Sequence, residues 1–128
     1  ELFMLQVAQL EQQSSEKKQS MKAQDIEKIH YAKTLLEQNI SNPYTLVELA
    51  HEVGLNDFKL KKGFKAVFNT TVFGYLHELR MQKAKYLLLD QKRTIAEVAD
   101  YCGYEYVQHF ITAFRKKFGI TPGKLVLE

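Results

Sequence analysis

Apolar residues recur at spacings of three and four along nearly the whole chain, the period of helices with one buried face. Leu2, Leu5, Val7, Ala8 and Leu10 form a partial stripe over 1–13. The next stretch, SSEKKQSMKAQ over 14–24, is polar and lacks a steady apolar face. It reads as a linker or weak helix, and the domain boundary is drawn at about residue 24. A helix capped by Asp25 fits next, with Ile26, Ile29, Ala32, Leu35 and Leu36 on its inner face. It should stop near 39–43, because Pro43 disfavours helix in the residue before it.

The remaining chain contains a repeat. TLVELAHEVGL begins at Thr45 and TIAEVADYCGY at Thr94. At this offset of 49, Thr45/Thr94, Glu48/Glu97, Ala50/Ala99 and Gly54/Gly103 are identical. Leu46/Ile95, Leu49/Val98 and Val53/Cys102 match in character. One residue is then inserted in the second copy, and Phe64/Phe114, Phe68/Phe118 and Thr71/Thr121 coincide at an offset of 50. Two copies of one supersecondary unit are therefore expected.

Each copy starts with T-x-x-E, in which the Thr oxygen accepts an N3 amide and the Glu returns to the Thr amide. A two-turn helix follows, then a glycine suited to a left-handed C-cap, a short turn, and a longer helix with aromatic anchors. Helix, glycine turn and helix together make a helix-turn-helix. The first spans about 45–68 and the second about 94–118. Between them a linker helix is expected over 72–90, offering Phe73, Leu76, Leu79, Ala84, Leu87 and Leu88 to the core. The fold class is thus all-α: two helix-turn-helix subdomains, a long linker helix, and an N-terminal helical extension over 1–24.

A helical wheel sorts the longer helix of each copy into two faces. With Leu60 inward, Phe64, Val67 and Phe68 join it, while Phe58, Lys62 and Lys65 turn outward beside Lys59 and Ala66. In the second copy Phe110, Phe114 and Phe118 turn inward. Gln108, Thr112 and Arg115 turn outward beside His109 and Lys116. Lysine can donate to guanine, glutamine pairs with adenine through two bonds, and Phe or Thr can meet thymine methyls. Lys59, Lys62 and Lys65 would serve chiefly through phosphates, with some base reading by Lys62. Lysines on an isolated outer face are commonly just solvated. An exposed Phe58 amid lysines, repeated in a paired unit, favours a target. The amides near Leu46 and Ile95 could hold phosphates, or simply be capped.

Composition narrows the classes further. Two prolines and six glycines leave little room for long irregular connections, and one cysteine excludes an internal disulfide or a multi-cysteine zinc site. No apolar run approaches the roughly 18 residues of a membrane span. The chain opens at Glu1 without signal-peptide layout and reads as a piece of a longer protein. Net charge is +3, yet residues 1–27 carry five acids against three lysines, so the body is moderately basic. His30, His51, His77 and His109 lack metal-ligand spacing, and only His109 flanks the outward face, as a candidate phosphate contact. Cys102 shares the apolar stripe of Ile95, Val98 and Ala99 and is read as packing. The tyrosines are read as packing with hydroxyls at the rim. Arg80 could meet a phosphate or an acid on the protein.

At TLVELAHEVGL, YLHELRMQKAKYLL and IAEVADYCGYEYVQHFITAFRKKFGITP the chain resembles the AraC/XylS family of bacterial transcription regulators, over about residues 26–124. The F-x-x-x-F-x-x-x-F run with its G-I-T-P tail is the most specific part. The resemblance implies a seven-helix DNA-binding domain whose two recognition helices enter successive major grooves, with half-sites one turn, about 10–10.5 bp, apart. It carries the base-reading role to Phe58, Lys61 and Lys62 in the first motif and to Val107, Gln108 and Thr112 in the second. Two departures bear on readout. The family often has Arg where Thr112 stands, and Val107 cannot hydrogen-bond a base. The first copy also has Val72 where the second has Pro122.

The resemblance further implies promoter or operator DNA and RNA polymerase as partners, cytoplasmic location, no membrane and no cofactor. Residues 1–24 would be the remnant of an upstream effector-binding domain, able to pair copies through Leu2, Leu5 and Leu10. A protein-interaction module built on the same architecture is the alternative, and would need an apolar outer face. An enzyme is not expected: no nucleophile–base pair, phosphate-cradling glycine loop or carboxylate cluster stands out.

Overall fold

The computed structural model describes residues 22–127. Among these residues there are seven helices and no strand: α1 (Ala23–Gln38), α2 (Leu46–Val53), α3 (Asp57–Phe68), α4 (Val72–Leu89), α5 (Ile95–Tyr101), α6 (Val107–Phe118) and α7 (Pro122–Leu127). The expected partial stripe over 1–13 and the linker over 14–21 lie outside the described residues. The described chain divides into two compact units, one of residues 22–33 and 46–72, the other of residues 34–45 and 73–127.

In the first unit, α1 starts at Ala23, two residues before the expected cap. Asp25 is already inside the first turn, its amide donating to the Lys22 carbonyl at 2.9 Å. Its carboxylate instead faces Lys59, 3.7 Å away. Leu49, Ala50 and Val53 of α2 are buried, as the repeat requires. The turn that follows closes with two bonds, Gly54 N–H to the His51 carbonyl at 3.1 Å and Leu55 N–H to the Ala50 carbonyl at 2.8 Å. This pairing demands a left-handed residue after the helix, and Gly54 has φ +84°. Asn56 then caps α3, accepting from the Lys59 amide at 2.7 Å. Leu60 and Phe64 are buried, whereas Val67 and Phe68 are only partly so. Phe68 lies 4.8 Å from the Phe64 ring and 5.1 Å from His30, with the Lys33 ammonium over its face at 5.7 Å.

The second unit repeats the scheme. Thr94 caps α5 in a complete capping box: its hydroxyl accepts from the Glu97 amide at 3.1 Å, and Glu97 accepts from the Thr94 amide at 2.9 Å. The turn closes with the same two bonds, Gly103 to Asp100 at 3.0 Å and Tyr104 to Ala99 at 2.9 Å, with Gly103 at φ +87°. The inserted residue lies here: three residues separate Gly103 from α6, where two separate Gly54 from α3. The core joins Met81, Ala84, Leu87 and Leu88 of α4 to Val98, Ala99, Cys102, Phe110 and Phe114. Truncating a fully buried phenylalanine such as Phe114 would cost about 3–5 kcal/mol. Thr121 and Pro122 start α7, the Lys124 amide donating to the Thr121 hydroxyl at 3.2 Å. A proline fits a first helical position, where its missing N–H is not needed.

The linker helix differs from expectation at Phe73, Leu79 and Met81, of which Leu79 is only half-buried. Phe73 is 58% exposed rather than buried, and Met81, absent from the expected set, is fully covered. A stripe counted on a wheel cannot tell how far along a helix its neighbours reach. No described helix is long and apolar enough to cross a membrane.

Candidate nucleic-acid interface

In the first unit, Phe58, Lys61, Lys62 and Lys65 follow the i, i+3, i+4, i+7 rule along α3, and all four are exposed. Phe58 is 66% exposed, a large apolar ring left in solvent. Asp57, Phe58, Lys61 and Lys62 line one open depression at the start of the helix. The Asp57 carboxylate accepts from the Phe58 amide at 3.0 Å. Lys59, also exposed, turns away from this group toward Asp25, so one of the expected phosphate contacts is partly engaged within the protein. Leu46, at the start of α2, is half-buried.

In the second unit, Gln108, Thr112 and Arg115 are exposed at i, i+4 and i+7 along α6, with Val107, His109 and Lys116 exposed beside them. Val107 is 39% exposed. The neighbouring Lys117 is occupied: its ammonium donates to the Glu78 carboxylate, which also accepts from Gln82 at 3.0 Å. Chiefly through the Lys117 bond, Glu78 is held below the ordinary carboxylate range. The amides near Ile95 belong to a helix start whose capping box is already filled, and the Thr94 bonds likewise hold Glu97 low.

Two features escaped the sequence reading. Tyr106, just before α6, is 58% exposed and stands edge-on to His109 at 5.4 Å, adding an aromatic beside the outward set. Its place directly before the helix was the available signal. Arg80 has a partner the sequence did not suggest: its guanidinium lies over the Tyr104 ring at 5.4 Å. Tyr86 and Tyr101 are likewise exposed, more than a packing role requires, with the Lys83 ammonium 5.5 and 5.6 Å from their rings. Cys102 is buried as expected, its thiol donating to the Arg80 carbonyl at 3.4 Å and pushed up to about 11 by burial. Among the described residues no group of three or more His, Cys, Asp or Glu is placed to hold a metal.

A helix pair closed by a left-handed glycine, with a second helix buried on its aromatic side and polar or cationic on the other, occurs twice. That defines a duplicated helix-turn-helix domain. The family model described as "Helix-turn-helix domain" matches residues 49–126. The chain belongs to this family, in its AraC-type branch. It is 34% identical over 95 residues to the HTH-type transcriptional regulator ArgR of Pseudomonas aeruginosa, covering 74% of this chain and 29% of that protein. It is 42% identical over 71 residues to the regulatory protein PchR of the same organism, covering 56% and 24%. The chain therefore spans less than a third of the curated relatives it matches here. Among solved structures, an AraC-type transcriptional regulator from Chromobacterium violaceum superposes with a TM-score of 0.70 at 32% identity, covering 76% of this chain and 87% of that one.

Proposed function

We propose that the chain is the sequence-specific, double-stranded DNA-binding part of a transcription regulator, with α3 and α6 as its two recognition helices. One observation carries this reading: at equivalent places in the repeat, two twelve-residue helices bury Phe64 and Phe114 and expose Phe58, Lys62 and Lys65 on one, Gln108, Thr112 and Arg115 on the other. The names of the regulators similar to this chain support it.

The division of labour follows from the side chains. Lysine neutralises phosphate and releases counterions, so α3 supplies salt-sensitive affinity, with Lys61, Lys62 and Phe58 reaching base edges. Gln108 offers a donor and an acceptor side by side, matching adenine N7 and N6, while Val107 and Thr112 meet methyl groups. His109, Arg115 and Lys116 take phosphates, as do the amides near Leu46. The helices read half-sites about one turn, 10–10.5 bp, apart. Effector sensing belongs to a domain upstream of this one, through which, or through residues 1–24, copies pair. RNA polymerase is the further partner and the cytoplasm the location. A protein-interaction module would need an apolar outer face, and α3 exposes Lys61, Lys62 and Lys65 there instead.

Selection of bound duplexes from a random pool tests the reading. Enrichment of two short motifs one turn apart is expected. Recovery of an unenriched pool at moderate salt would refute it.

A further inference from the structure

We propose that Arg80 is a positioning residue for base readout: its guanidinium clamps the turn of the second motif and thereby aims the start of α6. The proposal rests on the DNA-binding reading above. Three observations meet at this turn. It is one residue longer than its counterpart in the first motif. It also ends on Tyr106, which makes no side-chain cap bond to α6, whereas Asn56 caps α3. A longer turn without a cap has more freedom, and Val107 and Gln108 are the first two residues it delivers.

The third observation is what lies against this turn. Arg80 projects from α4 with its guanidinium on the Tyr104 ring, 5.4 Å from the centroid. A β-carbon on Gly103 would collide with that guanidinium and would sit 3.2 Å from the Ser41 carbonyl. The Cys102 thiol donates to the Arg80 carbonyl. Three consecutive turn residues thus touch one side chain or its backbone. Tyr104 passes the contact on, with its ring 5.6 Å from Phe110, the first buried aromatic of α6. The Arg80 Nε is buried without a hydrogen-bond partner. Burying part of a cation this way is unfavourable unless something compensates, and here the ring face does. The first motif holds its turn differently: Leu55 stands where Tyr104 would, so there is no ring to stack on, and the Lys28 ammonium donates to the Gly54 carbonyl at 3.3 Å, its side chain 3.6 Å from where a β-carbon on Gly54 would sit.

The test uses the full chain and a selected duplex, together with that duplex altered at the base pair assigned to Gln108. The quantity read is the ratio of the two affinities. Arg80→Met and Tyr104→Leu should each lower this ratio about fivefold, in the range set by losing a cation–ring contact. Binding to unrelated duplex should stay within about twofold in both, because no phosphate contact is removed. Arg80→Lys, which keeps a cation over the ring, should recover at least half of the loss on a logarithmic scale. A purely structural role would lower the melting temperature and leave the ratio alone in the folded variants. An unchanged ratio in folded Arg80→Met, or an Arg80→Lys variant no better than it, overturns the proposal. Should Arg80→Met not fold, an unchanged ratio in Tyr104→Leu overturns it. A wild-type chain with no sequence preference removes the DNA reading and this proposal together. A discriminating wild type beside unaffected variants removes this proposal alone.

Discussion

The Lys62 ammonium lies 5.6 Å from the centroid of the Phe58 ring, one helical turn away on the outward face of α3. The ring and the cation shield one another only in part, since both residues remain exposed. An exposed pair of this kind contributes about 0.5–1 kcal/mol to the free protein. That is too little to explain a phenylalanine left in solvent. A surface that takes the lysine as an anion partner and the ring as an apolar contact explains both residues.

Replacing Lys62 and Lys65 together by alanine should weaken binding to most duplexes. It should also reduce the slope of log affinity against log salt by about one unit for each phosphate contact removed. Titrations at several salt concentrations check this. An unaltered slope would exclude the α3 face from the phosphate backbone.

Gln108→Ala should behave differently. Its loss is expected at one base pair, about 1–3 kcal/mol of discrimination, with little change in salt dependence. Affinities for duplexes permuted at each position of the second half-site measure it. An effect spread evenly over all positions would assign Gln108 to general affinity instead.

Gly103→Ala and Gly54→Ala form a matched pair. Both positions have positive φ, so each alanine carries about 1–2 kcal/mol of left-handed strain. Only at Gly103 does the new methyl also meet the Arg80 guanidinium and the Ser41 carbonyl. Urea denaturation should show Gly103→Ala as the more destabilised of the two. Equal midpoints would mean that Arg80 moves aside freely.

The Glu78–Lys117 pair predicts a pH dependence. Glu78 titrates below its ordinary value of 4.5, chiefly because Lys117 donates to the carboxylate. A carboxylate lowered in the folded state adds stability above its unfolded pKa and loses it as pH falls through the folded value. The stability difference between wild type and Glu78→Gln should therefore be small, since the pair is exposed, present near neutrality, and gone in acid below that folded value. Denaturation at a series of pH values follows it; a difference that persists in acid would point to packing instead.

Cys102 should resist alkylation in the folded protein. It is fully buried, and its thiol is pushed up to about 11 by burial, against the opposing charges of Arg80 and Lys83. The thiolate is the reactive form, so at pH 8 iodoacetamide should label the chain only after denaturant is added. Rapid labelling of native protein would show that the second unit opens readily.

Much of the architecture was legible because it is local. The repeat of Thr45–Gly54 in Thr94–Gly103 announced two helix-turn-helix units, and the left-handed glycines followed from where each short helix must end. Helical phase alone sorted Phe64 and Phe114 inward and Lys62 and Gln108 outward. Phe73 went the wrong way because its apolar character is visible in the sequence but the absence of cover at the start of α4 is not.

What lay beyond the linear pattern are the partnerships between segments distant along the chain. Lys59 with Asp25, Lys117 with Glu78 across 39 residues, and Arg80 with the turn at Cys102–Tyr104 all follow from how helices are brought side by side. Helical periodicity records which face of a helix avoids water, because each residue meets solvent or interior on its own account. It holds no record of which long, flexible cation reaches which ring or carboxylate, since that depends on distances that exist only once the helices are packed.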